Sequence, residues 1–138
     1  MKKPNGLTSI TLNKTRPNTK QEDKIVANKI MKNIDMATPL ALTALVSYQT
    51  GQIVSRTLVQ NRAVSLTLFA FDTNEEISSH ESKGDAMVQI LDGKAKITIG
   101  DGTYFLSAGE TVVMPAGVPH ALEAVEPFKM LLTVIFPG

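Results

Sequence analysis

Only two histidines occur in this 138-residue chain, His80 and His120, and cysteine is absent. An imidazole titrates near the middle of the physiological range, so it serves as acid, base, hydrogen-bonding group or metal ligand. Without a thiol, disulfide frameworks, thiolate metal sites and cysteine nucleophiles are all excluded. His120 lies in GETVVMPAGVPHALEA, residues 109–124, where Gly109, Pro115, Gly117 and His120 follow the spacing G-x5-P-x-G-x2-H. Glycine permits left-handed backbone and proline fixes φ, so these residues place a tight turn and then a sharp loop ahead of the imidazole. Rival chemistries are poorly supplied. Ser65, Thr67, Ser78 and Ser79 have no Ser-His-acid pattern or nucleophile elbow around them. Asp92-Gly93 and Asp101-Gly102 lack the further spaced acids of a calcium loop. The GDG at 100–102 lacks the lysine and following helix of a phosphate loop. Met114 and Met130 read as core fillers rather than soft ligands.

The elements that must position the histidines are strands. From Ile53 onward the hydrophobic period is two, in IVSRTLVQ, VSLTLFAF, AMVQIL, KAKITI, TYFL, TVVM, HALEA and FKMLLTVIF. Turn-forming pairs at Asn61-Arg62, Thr73-Asn74, Asp92-Gly93 and Asp101-Gly102 read as hairpin connections, which predicts antiparallel pairing. In KAKITI, Ala95, Ile97 and Ile99 share one face while Lys94, Lys96 and Thr98 share the other, as a half-buried strand requires. FKMLLTVIF is apolar on both faces and is expected at the centre of a sheet or at an interface. So many short strands predict an all-β sandwich or closed barrel, with a jelly roll as the usual way to seal the edges.

Residues 1–35 carry eight Lys or Arg against three acids, whereas residues 36–138 carry six against ten. The expected organisation is a basic arm over 1–35, partly disordered, followed by one β domain over 36–138. Within the arm, Thr19-Lys20-Gln21-Glu22 matches a capping box, and Val26, Ile30 and Ile34 share a helical face, which predicts a helix over 22–34. A second short helix is expected from Thr38-Pro39 through LALTALV. The lysines of the arm are scattered, with no interleaved aromatic residues and no matching basic face on the body, so nucleic acid is not an expected partner. No apolar run reaches the roughly 18 residues of a membrane span, and the N-terminus lacks the apolar stretch of a signal peptide. A cytoplasmic chain with no membrane partner is expected.

The spacing around His120 resembles the second motif of the cupin superfamily, small double-stranded β-helix or jelly-roll barrels. That resemblance implies that His120 enters a strand aimed into the barrel. The first cupin motif, G-x5-H-x-H-x3,4-E-x6-G, can be laid on residues 74–93. Asn74 stands in place of its first glycine, and Asn also tolerates left-handed backbone. His80 matches the first metal histidine and Gly93 the closing glycine, while Ser82 replaces the second histidine and Ala86 the glutamate. The family's final asparagine is here Ala124. The short gap between the motifs, residues 94–108, resembles that of small single-domain bacterial cupins of the conserved-barrel type, with the first metal motif degenerate. The resemblance spans about residues 53 to 137.

A cupin of this kind is expected to carry a ligand pocket lined by His80, Ser82, Ala86, Val88, His120 and Leu122. Small side chains at 82 and 86 enlarge a mouth that other cupins fill with an imidazole and a carboxylate. Such a cavity suits a small organic ligand with one or two hydrogen-bonding groups, neutral or anionic. One divalent metal ion on His80 and His120 is the alternative, in a metal-dependent cupin enzyme of dioxygenase, isomerase or decarboxylase type. Its third ligand would come from Glu76, Glu81, Asp85 or water, and strand alternation turns Glu81 and Asp85 away from the pocket. A purely structural or partner-binding barrel is the third reading. A homodimer is expected, because the two-faced strand 128–136 and the N-terminal helix leave apolar surface to cover.

Overall fold

The structure, a computed structural model, describes residues 30–138. It contains nine strands: β1 (Ile53–Gln60), β2 (Val64–Phe71), β3 (Glu76–His80), β4 (Asp85–Asp92), β5 (Lys94–Ile99), β6 (Gly102–Ser107), β7 (Thr111–Met114), β8 (His120–Ala124) and β9 (Phe128–Ile135). They form a five-stranded sheet in the order β1-β2-β9-β4-β7 and a four-stranded sheet in the order β3-β8-β5-β6, with every pairing antiparallel. All eight expected strands are present, and β3 is an addition to them.

The expected hairpins divide into two kinds. Asn61-Arg62 does turn β1 into β2, with the Asn61 carboxamide oxygen accepting from Ala63 N at 2.8 Å and Val64 N at 3.0 Å. Asp101-Gly102 likewise joins the paired strands β5 and β6, with Gly100 at φ 57°. Thr73-Asn74 and Asp92-Gly93, by contrast, carry the chain from one sheet to the other. Asn74 does adopt left-handed backbone, φ 68°, and its N–H donates to Ala124 O at 3.0 Å. Gly93 is left-handed at φ 78°, and a Cβ there would lie 1.9 Å from Pro127 O. Only a residue without a side chain lets the crossing pass so close to the start of β9.

The main core lies between the sheets. Phe71, Val88, Ile90, Ala95, Ile97, Met114, Ala124, Phe128 and Met130 are its fully buried members, and the rings of Phe71 and Phe128 stack at 4.4 Å. Lys94, Lys96 and Thr98 alternate with these inward residues of β5, as expected. Strand β9 is the central strand of its sheet and is apolar on both faces. Its outer face needs no second molecule: Leu131 packs with Leu58, Leu68 and Ala70 under a strap comprising residues 31–48. Arg56 Nη1 donates to Leu45 O at 2.8 Å, Lys129 Nζ donates to Thr43 O at 2.7 Å, and the Tyr48 hydroxyl donates to Asp92 at 2.5 Å.

The strap corrects one helical expectation and includes the end of another. The helix expected from Thr38-Pro39 shrinks to a 3-10 turn at Leu42–Leu45, whose N-cap position is taken by Ala41, without a side-chain cap, while the Thr38 hydroxyl donates to Met36 O at 2.8 Å. Of the helix expected over 22–34, most lies outside the described residues. Its last part, residues 31–34, is irregular, with Lys32 N donating to Leu58 O at 2.8 Å. No helix among the described residues is long and apolar enough to cross a membrane.

Candidate functional site

His120 opens β8, whose burial alternates so that His120, Leu122 and Ala124 face the core. The loop before it is held by backbone contacts that its glycine and proline make possible. Gly117, at φ 76°, donates its N–H to Ser82 O at 2.9 Å, and Ala116 N donates to the Asp85 carboxylate at 2.8 Å. Asp85 therefore ties the β7–β8 loop to the start of β4. His80 ends β3 directly across the ladder from His120, beyond a register irregularity after Ile77. The two imidazoles meet edge to face, with ring centroids 4.4 Å apart. His120 is only 3% exposed, whereas His80 sits at the rim, open to solvent.

Each ring is oriented by the backbone. His80 Nδ1 lies 2.9 Å from Ser78 O and His120 Nδ1 lies 3.1 Å from Val118 O. A carbonyl oxygen only accepts, so Nδ1 carries the proton in both rings and, in the neutral form, Nε2 presents a bare lone pair. Burial pushes the His120 pKa below the ordinary histidine value; the carbonyl of Val118 partly opposes this and the neighbouring His80 adds to it.

The histidines head a cavity of about 240 Å³ between the two sheets. Of the six residues expected to line a pocket, His80, Ser82, Ala86, His120 and Leu122 do lie on its wall. Val88 does not reach it; this residue is fully buried one inward position deeper along β4. Ile77, Met114, Met130, Leu132 and Val134 complete the apolar lining, and Glu81 reaches the rim. Glu81 escapes the alternation expected of it because β3 ends at His80. Met114 and Met130 are core residues, each 1% exposed, that also form cavity wall. Their place could not be read from the sequence without knowing that β7 and β9 flank β4. A larger hollow of about 690 Å³ lies between the β1–β2 turn, Lys83 and residues 136–138. It contains neither imidazole, and the smaller cavity is the one where polar groups converge within an apolar enclosure.

A sequence model of the Cupin domain family matches residues 67–136, half of the chain. The chain belongs to the cupin superfamily. Among solved structures, this cupin is similar to a protein of unknown function from Streptococcus pyogenes, at 50% identity and TM-score 0.79, covering 81% of this chain and 98% of that one. It is also similar to a cupin superfamily protein from Desulfitobacterium hafniense, at 33% identity and TM-score 0.75, covering 78% of this chain and 98% of the other. A protein of uncharacterised function from Streptomyces coelicolor is 29% identical over 79 residues, 57% of this chain and 75% of its own length.

The cupin pattern implies a metal held by histidines and a carboxylate, and the residues of this cupin do not fit one. A catalytic metal ordinarily takes three protein ligands and keeps a position open. Among the described residues no three His, Cys, Asp or Glu side chains converge in such a group. Ser82 accepts from Gly84 N at 3.1 Å, and Ala86 offers no donor atom. Asp85 is engaged with Ala116. Glu76 pairs across the ladder with Glu123, on the face opposite to Ile77 and Leu122. Glu81, at the rim, is solvent-exposed.

Proposed function

We propose that this cupin is a binding or sensing module for a small organic molecule, held in the barrel cavity by His80 and His120 without a resident metal. The observation that carries this reading is His120 itself: a side chain 3% exposed that heads a cavity of about 240 Å³ with mostly apolar walls. That volume equals the liquid share of roughly eight water molecules, which suits a compact guest. The polar pair at one end fixes orientation, and the apolar walls supply the driving force for entry. A metal-dependent enzyme is the weaker reading, because two imidazoles without a third converging ligand leave a divalent ion under-coordinated. The homodimer expected from the sequence is retained as part of the proposal. It would cover Tyr104, Phe105 and Val113, large exposed side chains on the edge strands β6 and β7.

A thermal-shift screen of small organic molecules tests the binding reading. A guest at a hundred times its Kd stabilises by about 2.7 kcal/mol, a rise in Tm of roughly 8 to 14 °C for a domain of this size. For a guest that hydrogen-bonds the imidazole, the rise should be clearly smaller in His120→Leu, which keeps the site packed but removes both ring nitrogens. A shift of equal size in that variant would place the binding elsewhere.

A further inference from the structure

The sharpest chemical statement in the cavity is an unanswered lone pair. His120 is 3% exposed, and its one side-chain hydrogen bond among the described residues is made through Nδ1 to Val118 O. Nε2 is then a buried acceptor with no donor among the described residues, whereas buried polar groups in proteins are nearly always paired. Ser82, the hydroxyl-bearing residue of the lining, accepts from Gly84 N at 3.1 Å, and its hydroxyl makes no hydrogen bond to His120. The charge pattern is as informative. Among the described residues no Lys or Arg lines the cavity, and the one acidic residue that does is Glu81 at the rim. A carboxylate or phosphate entering would meet no permanent cation and one like charge.

We propose that the guest of this cavity is an uncharged small organic molecule that donates a hydroxyl or N–H hydrogen to Nε2 of His120, with its apolar body against Met114, Met130 and Leu132. The inference rests on the binding reading above and narrows it to a ligand class. The donor answers the orphaned lone pair, and the thioethers and branched side chains conform to an irregular apolar shape. A depressed His120 pKa agrees with an imidazole that stays neutral and accepting.

Calorimetric titration with phenol, toluene and benzoate, at a pH above the imidazole range, tests the proposal on the full chain. Phenol should bind about tenfold or more tightly than toluene, the usual margin of one buried hydrogen bond, and benzoate more weakly than phenol. In His120→Leu the preference for phenol over toluene should disappear while toluene still binds. Benzoate binding more tightly than phenol would overturn the inference and leave the cavity as an organic site. If none of the three binds at millimolar concentration, the binding reading itself falls, and the inference with it. Long-range ¹⁵N–¹H spectra of the wild-type histidines give a second readout that needs no variant. They should show His120 protonated at Nδ1 and bare at Nε2, with the Nε2 resonance moving on addition of phenol. An Nε2–H tautomer in the free protein would overturn the inference.

Discussion

Substituting alanine at Gly93 and at Gly117 separates two costs that the barrel imposes on its turns. Both glycines occupy left-handed backbone, φ 78° and 76°, so each alanine incurs a conformational cost of about 1 to 2 kcal/mol. Around Gly117 a new Cβ meets nothing within 4 Å, and the conformational cost is the whole effect. At Gly93 the Cβ would lie 1.9 Å from Pro127 O and 2.8 Å from Phe128 Cα, both backbone atoms. Relief requires moving the start of β9, where Phe128 is fully buried and stacked on Phe71. Overpacking of this kind adds about 1 to 3 kcal/mol, so Gly93→Ala should lose about 2 to 5 kcal/mol in all. Urea unfolding with a common m-value reads both losses directly. In thermal melts each kcal/mol lost should lower Tm by roughly 3 to 5 °C, so Gly93→Ala should fall clearly further than Gly117→Ala. Gly117→Asn should cost less than Gly117→Ala, because asparagine tolerates the left-handed region. Equal losses for the two alanine variants would refute the close crossing between the sheets.

Three further outcomes follow from the site and the strap. His120 has its folded-state pKa depressed, so the unfolded chain binds a proton first as pH falls. Its contribution to stability should be complete above about pH 6.5 and decline below that as pH drops through the folded pKa; urea midpoints across this range should show the decline in the wild type and less of it in His120→Leu. Asp85→Ala removes the acceptor for Ala116 N and should cost about 0.5 to 1.5 kcal/mol while weakening guest binding, with Asp85→Asn recovering most of both in calorimetry. Tyr48→Phe loses the hydrogen bond to Asp92, and limited proteolysis should cut within residues 31–48 faster than in the wild type.

The strands were legible wherever one face is buried and the other wet. KAKITI and HALEA alternate cleanly, and β5 and β8 occupy those residues. EISSH carries no such signal, because four of its five residues are exposed, and β3 is defined by its pairing with β8 rather than by its own pattern. Turn residues tell where the chain reverses but not which sheet receives it, so Thr73-Asn74 and Asp92-Gly93 look like hairpins and are crossings. The strap was unreadable for a related reason: LALTALV is apolar enough for a helix, yet it is fixed by tertiary bonds from Arg56 and Lys129. At the site, the resemblance to the two cupin motifs pointed to both imidazoles and to the small residues Ser82 and Ala86, and strand alternation added Leu122. The methionines contributed by β7 and β9 required the sheet order.

Elemental analysis of protein purified without chelator or histidine tag, after growth with supplemented zinc, iron, manganese and nickel, tests most directly whether His80 and His120 serve an organic guest rather than a metal. The metal content should lie well below one equivalent per chain and be unchanged in His80→Ala and His120→Ala. About one equivalent in the wild type, lost in both variants, would contradict the metal-free cavity.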